Sequence, residues 1–268
     1  MALFTNAQSF YLGTQMSRQG GPGAYNLTST LEQAALLEDV ILGSSAPHMI
    51  TDITLAGQSV WASNQPAPST AFAFNSWMGA TGHRSLSVPL ASRQQVVISG
   101  NSNNPGGFGG APAGGVNVSC AVGTAPIDPD QVVPVNDLGG EAMSYIVGLG
   151  QVQVPAAGTA QLVATIRRPC MLGALMLDFD GFGGAVINDL TVESITINNV
   201  EMLSSIGTQA GEISFQALVS QSSDVDGKII GFEAPLNGQV AVTVRNYDAA
   251  NPANIAGCIF TLPMGGQI

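Results

Sequence analysis

Two segments of twenty residues in this chain align without a gap and match at seven positions. Residues 23–42 read GAYNLTSTLEQAALLEDVIL, and residues 158–177, which follow 135 positions later, read GTAQLVATIRRPCMLGALML. The matched pairs are Gly23 with Gly158, Leu27 with Leu162, Thr30 with Thr165, Leu31 with Ile166, Leu37 with Leu172, Val40 with Leu175 and Leu42 with Leu177. Such a repeat predicts two copies of one structural unit, so a single fold must suit both segments.

Four further matches follow in the same order, with offsets that change as the loops differ in length. They are 53–60 with 195–202, Phe72 with Phe215, 88–101 with 234–246, and 117–122 with 254–260, the last setting Cys120 opposite Cys258. The alternative explanation is two strand sets of similar composition. The duplication predicts an N-terminal arm at 1–22, a first domain at 23–122, a connector at 123–152 and a second domain at 153–268.

The two copies of the repeat give different signals for secondary structure. Residues 31–42 contain good helix formers with acidic residues between them, which is typical of a helix. The second copy has Pro169 in the corresponding window, where a proline would break a helix. If both copies share a fold, each window is two short strands joined by a turn, at 32–34 and at 167–169. A helix in the first copy alone is the alternative.

Strand signals are plainer in the rest of the chain. Residues 86–98, 187–200 and 240–244 alternate or are rich in β-branched side chains, and turn-forming residues recur between them. The Gly-rich stretch 101–115 is predicted to be a flexible loop. We therefore predict an all-β protein of two tandem eight-stranded jelly-roll (β-sandwich) domains, because each half has the length for about eight strands of ~6 residues.

The charge composition restricts the partners of this chain. Only 9% of its 268 residues are charged, and the net charge is −11. So few charges on a soluble protein indicate that partner subunits cover much of the surface. Phosphate backbones are bound by clustered Lys and Arg, so direct nucleic-acid binding is not expected. The net charge also disfavours adsorption to anionic lipid by charge alone.

No motif in the sequence indicates an enzyme. There is no GxSxG nucleophile elbow, phosphate-binding loop or zinc spacing, and the three cysteines are predicted to be buried thiols. Two DxDG pieces, Asp178 with Asp180 and Asp224 with Asp226, are candidate calcium ligands, although neither continues as an EF-hand loop. The alternative is an acidic turn, and no other cofactor is expected.

The aromatic residues of the first half carry a second binding hypothesis. Trp61, Trp77, Phe72 and Phe74 lie close together in the sequence and are candidates for a sugar-stacking platform. Because Phe72 matches Phe215 in the repeat, we predict instead that Phe72 belongs to the core.

The duplicated pattern resembles that of the double jelly-roll major capsid proteins of icosahedral viruses. The compact size of the chain resembles that of the bacteriophage members of this family. The resemblance rests on GxxxLxxTLxxxxxLxxVxL and on the ITL-AGQ and QVVIS-GN segments, and it spans about residues 23–262. It implies homotrimers with six jelly rolls, which form pseudo-hexameric capsomers that contact neighbouring capsomers and tile a shell. It further implies a virion protein without an active site, assembled in the host cytoplasm.

The same resemblance implies a role for residues 1–22 in contacts with an internal membrane or with minor capsid proteins. Two other functions stay open for this sequence. One is a trimeric spike or minor coat protein of the same fold, and the other is a two-domain carbohydrate-binding β-protein.

Overall fold

The structure is a computed structural model. It describes residues 10–12, 23–31, 34–44, 47–72, 88–101, 118–126, 145–180, 185–203, 211–218 and 229–262. The predicted loop at 101–115 lies outside these residues except for Asn101. No helix within the described ranges is long and apolar enough to span a bilayer.

The first half of the chain forms two facing sheets. Its strands are β1 (Phe10–Leu12), β2 (Ala24–Thr30), β3 (Ala35–Ser44), β4 (Met49–Leu55), β5 (Gln58–Ser59), β6 (Ala67–Pro68), β7 (Val88–Leu90), β8 (Gln95–Asn101) and β9 (Val118–Pro126). One sheet has the order β1-β9-β3-β7, and the other has the order β2-β8-β4-β5 with β6 also paired to β4. A 3-10 helix at Ser69–Phe72 follows β6.

The second half repeats this arrangement. Its strands are β10 (Ile146–Val154), β11 (Thr159–Thr165), β12 (Cys170–Asp180), β13 (Leu190–Ile197), β14 (Val200–Glu201), β15 (Ile213–Ser214), β16 (Ile229–Ala234), β17 (Gln239–Asn246) and β18 (Ala253–Leu262). The sheet orders are β10-β18-β12-β16 and β11-β17-β13-β14, with β15 also paired to β13. Short 3-10 helices at Ile187–Asp189 and Phe215–Leu218 complete it.

Both halves have the strand order of a jelly roll. If the eight main strands of each half are counted along the chain, one sheet holds strands 1-8-3-6 and the other holds 2-7-4-5. All the strand pairs in these sheets are antiparallel, and successive strands mostly change sheets, as in two interlocked Greek keys. The predicted all-β, double jelly-roll fold is confirmed, and residues 35–44 are a strand rather than part of a helix.

The two copies of the twenty-residue repeat also share a register shift in their strand pairing. Strand β3 shifts its pairing with β9 between Leu37 and Asp39, and β12 shifts its pairing with β18 between Leu172 and Ala174, at positions 135 residues apart. A β-bulge changes the local twist and the face that each side chain occupies. Its recurrence at one repeat position therefore aligns the two copies residue by residue.

Val40 is partly buried, and the other four matched apolar pairs of the repeat are core residues in both halves. These pairs are Leu27 with Leu162, Leu31 with Ile166, Leu37 with Leu172, and Leu42 with Leu177, and all eight side chains are buried. In β2 the burial alternates strictly, with Tyr25, Leu27 and Ser29 facing inward. Alternation of this kind is expected where one face of a sheet packs on the core and the other faces solvent.

Of the four downstream matches, 53–60 with 195–202 agrees with the structural register. The other three lie in equivalent strands but are displaced by one to three residues. Because Leu42 pairs with Cys120 and Leu177 pairs with Gly257, the structural equivalent of Cys120 is Gly257 and not Cys258. The equivalent of Phe72 is Leu218. Counted from the pairing of β6 with β4 and of β15 with β13, Phe72 and Leu218 hold the same position, and Phe215 lies three residues before it. Apolar β segments of similar composition match almost equally well when shifted, so sequence alone does not define their register.

The strand positions also correct the predicted domain boundaries. Strand β1 lies inside the predicted arm 1–22 and pairs with β9, while β9 and β10 extend into the predicted connector 123–152. The repeat that anchored the boundaries covers the second and third strands of each jelly roll, so the first strand was assigned to the preceding segment.

Three tight turns close one end of each jelly roll, and we call this the closed end. In the first half Leu31 donates to Gln94, Arg93 donates to Leu31, and Ala56 donates to Gln95, all through backbone groups at 2.7–2.9 Å. In the second half the equivalent bonds run from Ile166 to Gly238, from Asn237 to Ile166 and from Asn198 to Gln239. The opposite end, where β3, β8, β12 and β17 finish, is the open end.

The hairpin turns of the closed end place non-glycine residues in the left-handed region. Asn198 and Asn199 have φ values of 51° and 65°, and the equivalent Ala56 and Gly57 have 49° and 83°. Positive φ at both central residues is the geometry of a type I′ turn, whose twist matches the paired strands. Asn tolerates this conformation better than other residues that carry a Cβ.

We expect the substitution Asn199→Val to lower the free energy of unfolding by about 1–2 kcal/mol, because a β-branched residue is strained at this φ. The matched variant Asn199→Gly should leave the stability within about 0.5 kcal/mol of the parent or raise it. Urea denaturation followed by intrinsic fluorescence measures both. Equal loss in the two variants would show that the side chain, and not the backbone conformation, matters at Asn199.

Candidate interface between the two jelly rolls

The segment that follows β5 leaves the first jelly roll and lies along the second. Trp61 forms a parallel β-bridge with Ile146, and Ser63 and Gln65 form antiparallel bridges with Ile166 and Gly148. We call residues 60–72 the seam segment. The chain between the two halves is therefore not the only connection between them.

Backbone hydrogen bonds hold the seam segment to two strands of the second half. Ala62 donates to the carbonyl of Ile146 at 2.8 Å, and Ile146 donates to the carbonyl of Val60 at 2.9 Å. Arg167, in the turn before β12, donates to the carbonyl of Ala62 at 2.7 Å. Polar backbone groups that pair across a buried boundary fix its register, since leaving them unpaired costs free energy.

Gly148 allows the closest approach at this seam. A Cβ atom at this position would lie 2.2 Å from the carbonyl oxygen of Gln65, a distance that no side chain can occupy. The hydroxyl of Ser63 donates to the carbonyl of Gly148 at 2.8 Å. Glycine is therefore needed at position 148 because the backbone of the seam segment approaches too closely for a side chain, and not because of an unusual φ.

Aromatic side chains continue the core across the seam. Trp61 and Phe72 are stacked with 6.5 Å between ring centroids, and Phe72 meets Phe260 of the second half edge to face at 5.7 Å. Trp61 and Phe72 are buried, and the indole N–H of Trp61 donates to the Gln65 carbonyl at 2.7 Å. The prediction that Phe72 is a core residue is confirmed, and neither ring is exposed for sugar stacking. Phe74 and Trp77 lie outside the described residues.

Asp178 is the one calcium candidate whose side chain the structure describes. It lies within β12 rather than in a loop, it is buried, and it accepts a hydrogen bond from the Thr70 hydroxyl across the seam and one from the Phe179 N–H at 2.7 Å. Asp180 ends β12 opposite Asn254, and Asp224 and Asp226 lie outside the described residues. Within the described ranges no group of three or more His, Cys, Asp or Glu residues is placed to hold a metal ion. The calcium sites therefore stay a prediction.

A polar cleft of about 190 Å³ opens on the seam. Its lining comes from β4, β5, the seam segment and the second half, and comprises Thr51, Asp52, Ser59, Trp61, Ser63, Asn64, Gln65, Pro66 and Arg167. The Asp52 carboxylate accepts hydrogen bonds from the hydroxyls of Ser59 at 2.5 Å and Thr54 at 3.3 Å. The cleft is smaller than the ~300–1,000 Å³ typical of ligand pockets, so its size suits a single small group.

Sequence reasoning missed a buried polar cluster in the first half. His48, which directly precedes β4, is 1% exposed and bonds to the hydroxyl of Tyr25. Its backbone N–H donates to the Ser69 hydroxyl at 3.0 Å. Gly100 pairs with Tyr25 and leaves room for its ring, since a Cβ there would lie 2.4 Å from it. Only the cross-strand pairing brings these residues together.

An ordered polar cluster lies on the exposed side of the second jelly roll. Arg245 bonds to Glu193 at 2.9 Å and lies 5.0 Å from the centre of the Tyr247 ring. The Tyr247 hydroxyl donates to Glu212 at 3.0 Å, and this hydrogen bond raises the pKa of the phenol. Exposed pairs of this kind contribute little to stability.

The side chains of two of the three cysteines, Cys170 and Cys258, are described, and both are buried free thiols. Burial raises the pKa of Cys170 to about 12. The thiolate, which is the reactive form, is therefore almost absent at neutral pH. The side chain of Cys120 lies outside the described part, so its predicted burial stays a prediction.

No protein-family model and no curated protein sequence matches this chain. Among solved structures, the chain is similar to the major capsid protein P2 of bacteriophage PM2, with 9% sequence identity, a TM-score of 0.41, and coverage of 97% of this chain and 100% of that one. It is also similar to the STIV MCP, with 12% identity, a TM-score of 0.40, and coverage of 93% and 97%. The jelly-roll assignment rests on the strand orders and registers of this chain itself.

We expect Gly148→Ala to destabilise the protein by about 2–4 kcal/mol, because the added methyl group must displace backbone at the seam. The control Thr159→Ala, on the exposed side of the neighbouring β11, should change stability by less than about 0.5 kcal/mol. Thermal and urea unfolding compare the two variants. A loss in Gly148→Ala no larger than in the control would contradict the close contact.

Cys170 should resist alkylation in the folded protein. With a pKa of about 12, only about one thiol in three thousand is ionised at pH 8.5, and burial also blocks access. Iodoacetamide labelling followed by peptide mass spectrometry should find Cys170 unmodified in buffer and modified in denaturant. Rapid native-state labelling at this cysteine would contradict its placement in the core.

Proposed function

We propose that this chain is a major capsid protein of an icosahedral virus, and that it has a structural rather than an enzymatic role. The observation that carries the proposal is the presence of two jelly rolls of one topology, joined side by side through the seam segment. Three copies around a threefold axis would bring six equivalent domains together. A homotrimer of this kind has a nearly hexagonal outline, and hexagonal units tile a shell with closed symmetry.

The orientation of the two jelly rolls supports this proposal. The seam segment contacts the second half near its closed end through Ile146 and Arg167, and Thr70 contacts Asp178 near its open end. The seam segment has the same direction relative to the first half. Val60 follows the β4–β5 turn and lies near the closed end, whereas Thr70 follows β6 and lies near the open end. The two closed ends therefore face one way, which a pseudo-sixfold arrangement requires.

The surface composition also supports assembly. Only 9% of the residues are charged, and the outward positions of β2 and β11 are mostly Thr, Asn, Gln and Ala. Uncharged sheet faces suit contacts between neighbouring subunits better than permanent exposure. Contacts with neighbouring capsomers and residence in the virion shell, after assembly in the host cytoplasm, belong to the same proposal.

The purified chain should behave as a homotrimer. Size-exclusion chromatography with light scattering should give three times the 27.3 kDa chain mass, and negative-stain images should show a hexagonal outline or assembled sheets and shells. A trimer with a narrow, elongated outline would favour a spike or minor coat protein. A monomer that binds glycans on an array would overturn the shell proposal in favour of a carbohydrate-binding protein.

A further inference from the structure

The polar cleft on the seam contains one acid and one base, and they come from different jelly rolls. Asp52 belongs to β4 of the first half, and Arg167 belongs to the turn before β12 of the second half. All the other lining residues are uncharged. In the part of the chain that the structure describes, an ion pair joins Arg245 to Glu193, and none joins Asp52 to Arg167. The two opposite charges of the cleft therefore do not neutralise each other by direct contact.

Asp52 is held in position as a hydrogen-bond acceptor. Its two carboxylate oxygens accept from the hydroxyls of Ser59 at 2.5 Å and Thr54 at 3.3 Å. The Ser59 hydroxyl in turn accepts from the backbone N–H of Trp61 at 3.0 Å, so the three groups form a chain in which each bond orients the next. A carboxylate has about four lone-pair sites on its two oxygens, so Asp52 retains capacity for a ligand that donates.

Hydrogen-bond donors lie on the side of the cleft that meets the second jelly roll. The guanidinium of Arg167 has five N–H donors and no acceptor, and its backbone N–H is fixed to the Ala62 carbonyl at 2.7 Å. The side-chain oxygen of Asn64 accepts from the Thr165 N–H at 2.8 Å, which leaves the amide NH₂ of Asn64 as its donor toward the cleft. The acceptor side and the donor side of the cleft are thus separate.

The volume of the cleft limits what it can hold. A cavity of ~150 Å³ accommodates benzene, which has six carbon atoms, so a cleft of about 190 Å³ has room for about six to eight non-hydrogen atoms. A simple anion of this size would bind Arg167 but would be repelled by Asp52, and a simple cation would meet the opposite problem. A molecule that carries both charges satisfies both sides.

We propose that the seam cleft binds a small zwitterion of the amino-acid class, with its ammonium group on Asp52 and its carboxylate on Arg167 and Asn64. Because the two charged residues belong to different jelly rolls, the bound molecule links them. A ligand that binds only the docked arrangement stabilises that arrangement by mass action. Every lining residue belongs to one chain, so the site is complete in a monomer and does not depend on the proposed capsomer.

Calorimetric titration of the full chain with glycine, β-alanine and γ-aminobutyrate tests the proposal. These molecules carry the same two charged groups at increasing separation, and each fits the volume of the cleft. We expect at least one to bind saturably with a Kd of about 1 mM, which is typical of a ligand this small. At about ten times the Kd it should raise the midpoint of thermal unfolding by about 3–6 °C. Propionate and propylamine, which carry one charge each, should do neither.

Two variants assign the binding to the cleft. Asp52→Asn and Arg167→Gln should each weaken binding about tenfold, because each removes one charge-assisted hydrogen bond. The matched controls Asp189→Asn and Arg93→Gln remove the same kinds of charge outside the cleft and should bind like the parent. Arg167 is exposed, so Arg167→Gln decides the result if Asp52→Asn fails to fold.

Trp61 gives an independent optical readout, because its side chain is part of the cleft lining. The chain has two tryptophans, so Trp61 is the only one left in a Trp77→Phe background. Its fluorescence should change with the same Kd that calorimetry gives, and the change should be lost in Arg167→Gln.

Three results would overturn the proposal. They are the absence of saturable binding by all three zwitterions, binding of propionate as strong as that of the best zwitterion, and unchanged binding in both cleft variants. The oligomeric state of the same samples separates this inference from the proposed function. A trimer that binds no zwitterion would refute only the ligand site, and a monomer that binds one through Asp52 and Arg167 would refute only the capsomer.

Discussion

The backbone hydrogen bonds at the closed end hold two turns of each jelly roll in one register, and the side-chain arrangement depends on that register. Leu31 exchanges two bonds with Arg93 and Gln94, and Ile166 exchanges the equivalent two with Asn237 and Gly238. Each pair links the turn between the second and third main strands of its jelly roll to the turn between the sixth and seventh. Side chains alternate along a strand, so a slip of one residue at these turns would expose Leu27 or Leu162 and bury their polar neighbours. The register of both sandwiches thus starts from two short sets of bonds.

The seam depends on that register in turn. Gly148 meets the Gln65 carbonyl, and Phe72 meets Phe260, only if β10 and β18 present these residues at the level of the seam segment. The seam combines backbone bridges, buried aromatic rings and the bond between Thr70 and Asp178. An interface of this composition resembles a domain core more than a transient contact.

The sequence predicted much of the fold but less of the arrangement of side chains. The ungapped repeat 23–42 and 158–177 identified two copies of one β unit, because the spacing of Leu27, Leu31 and Leu37 is preserved in the second copy. Three of the four downstream matches did not define register, since β-branched segments such as those of β8 and β17 look alike when shifted. The first strand of each jelly roll was missed, because β1 is only three residues long and β10 precedes the repeat.

The sequence by itself determined the fold class, the duplication, the core positions of the repeat and the scarcity of charge, because these follow from local patterns of side-chain type. Tertiary structure alone decided which residues meet across the chain. It buried Asp178 against Thr70, placed His48 beside Tyr25, and gathered Arg93, Arg167 and Arg168 at one end although two of them are 74 or 75 positions from the first. Long-range pairing of antiparallel strands brings distant turns together, and no local pattern encodes that proximity.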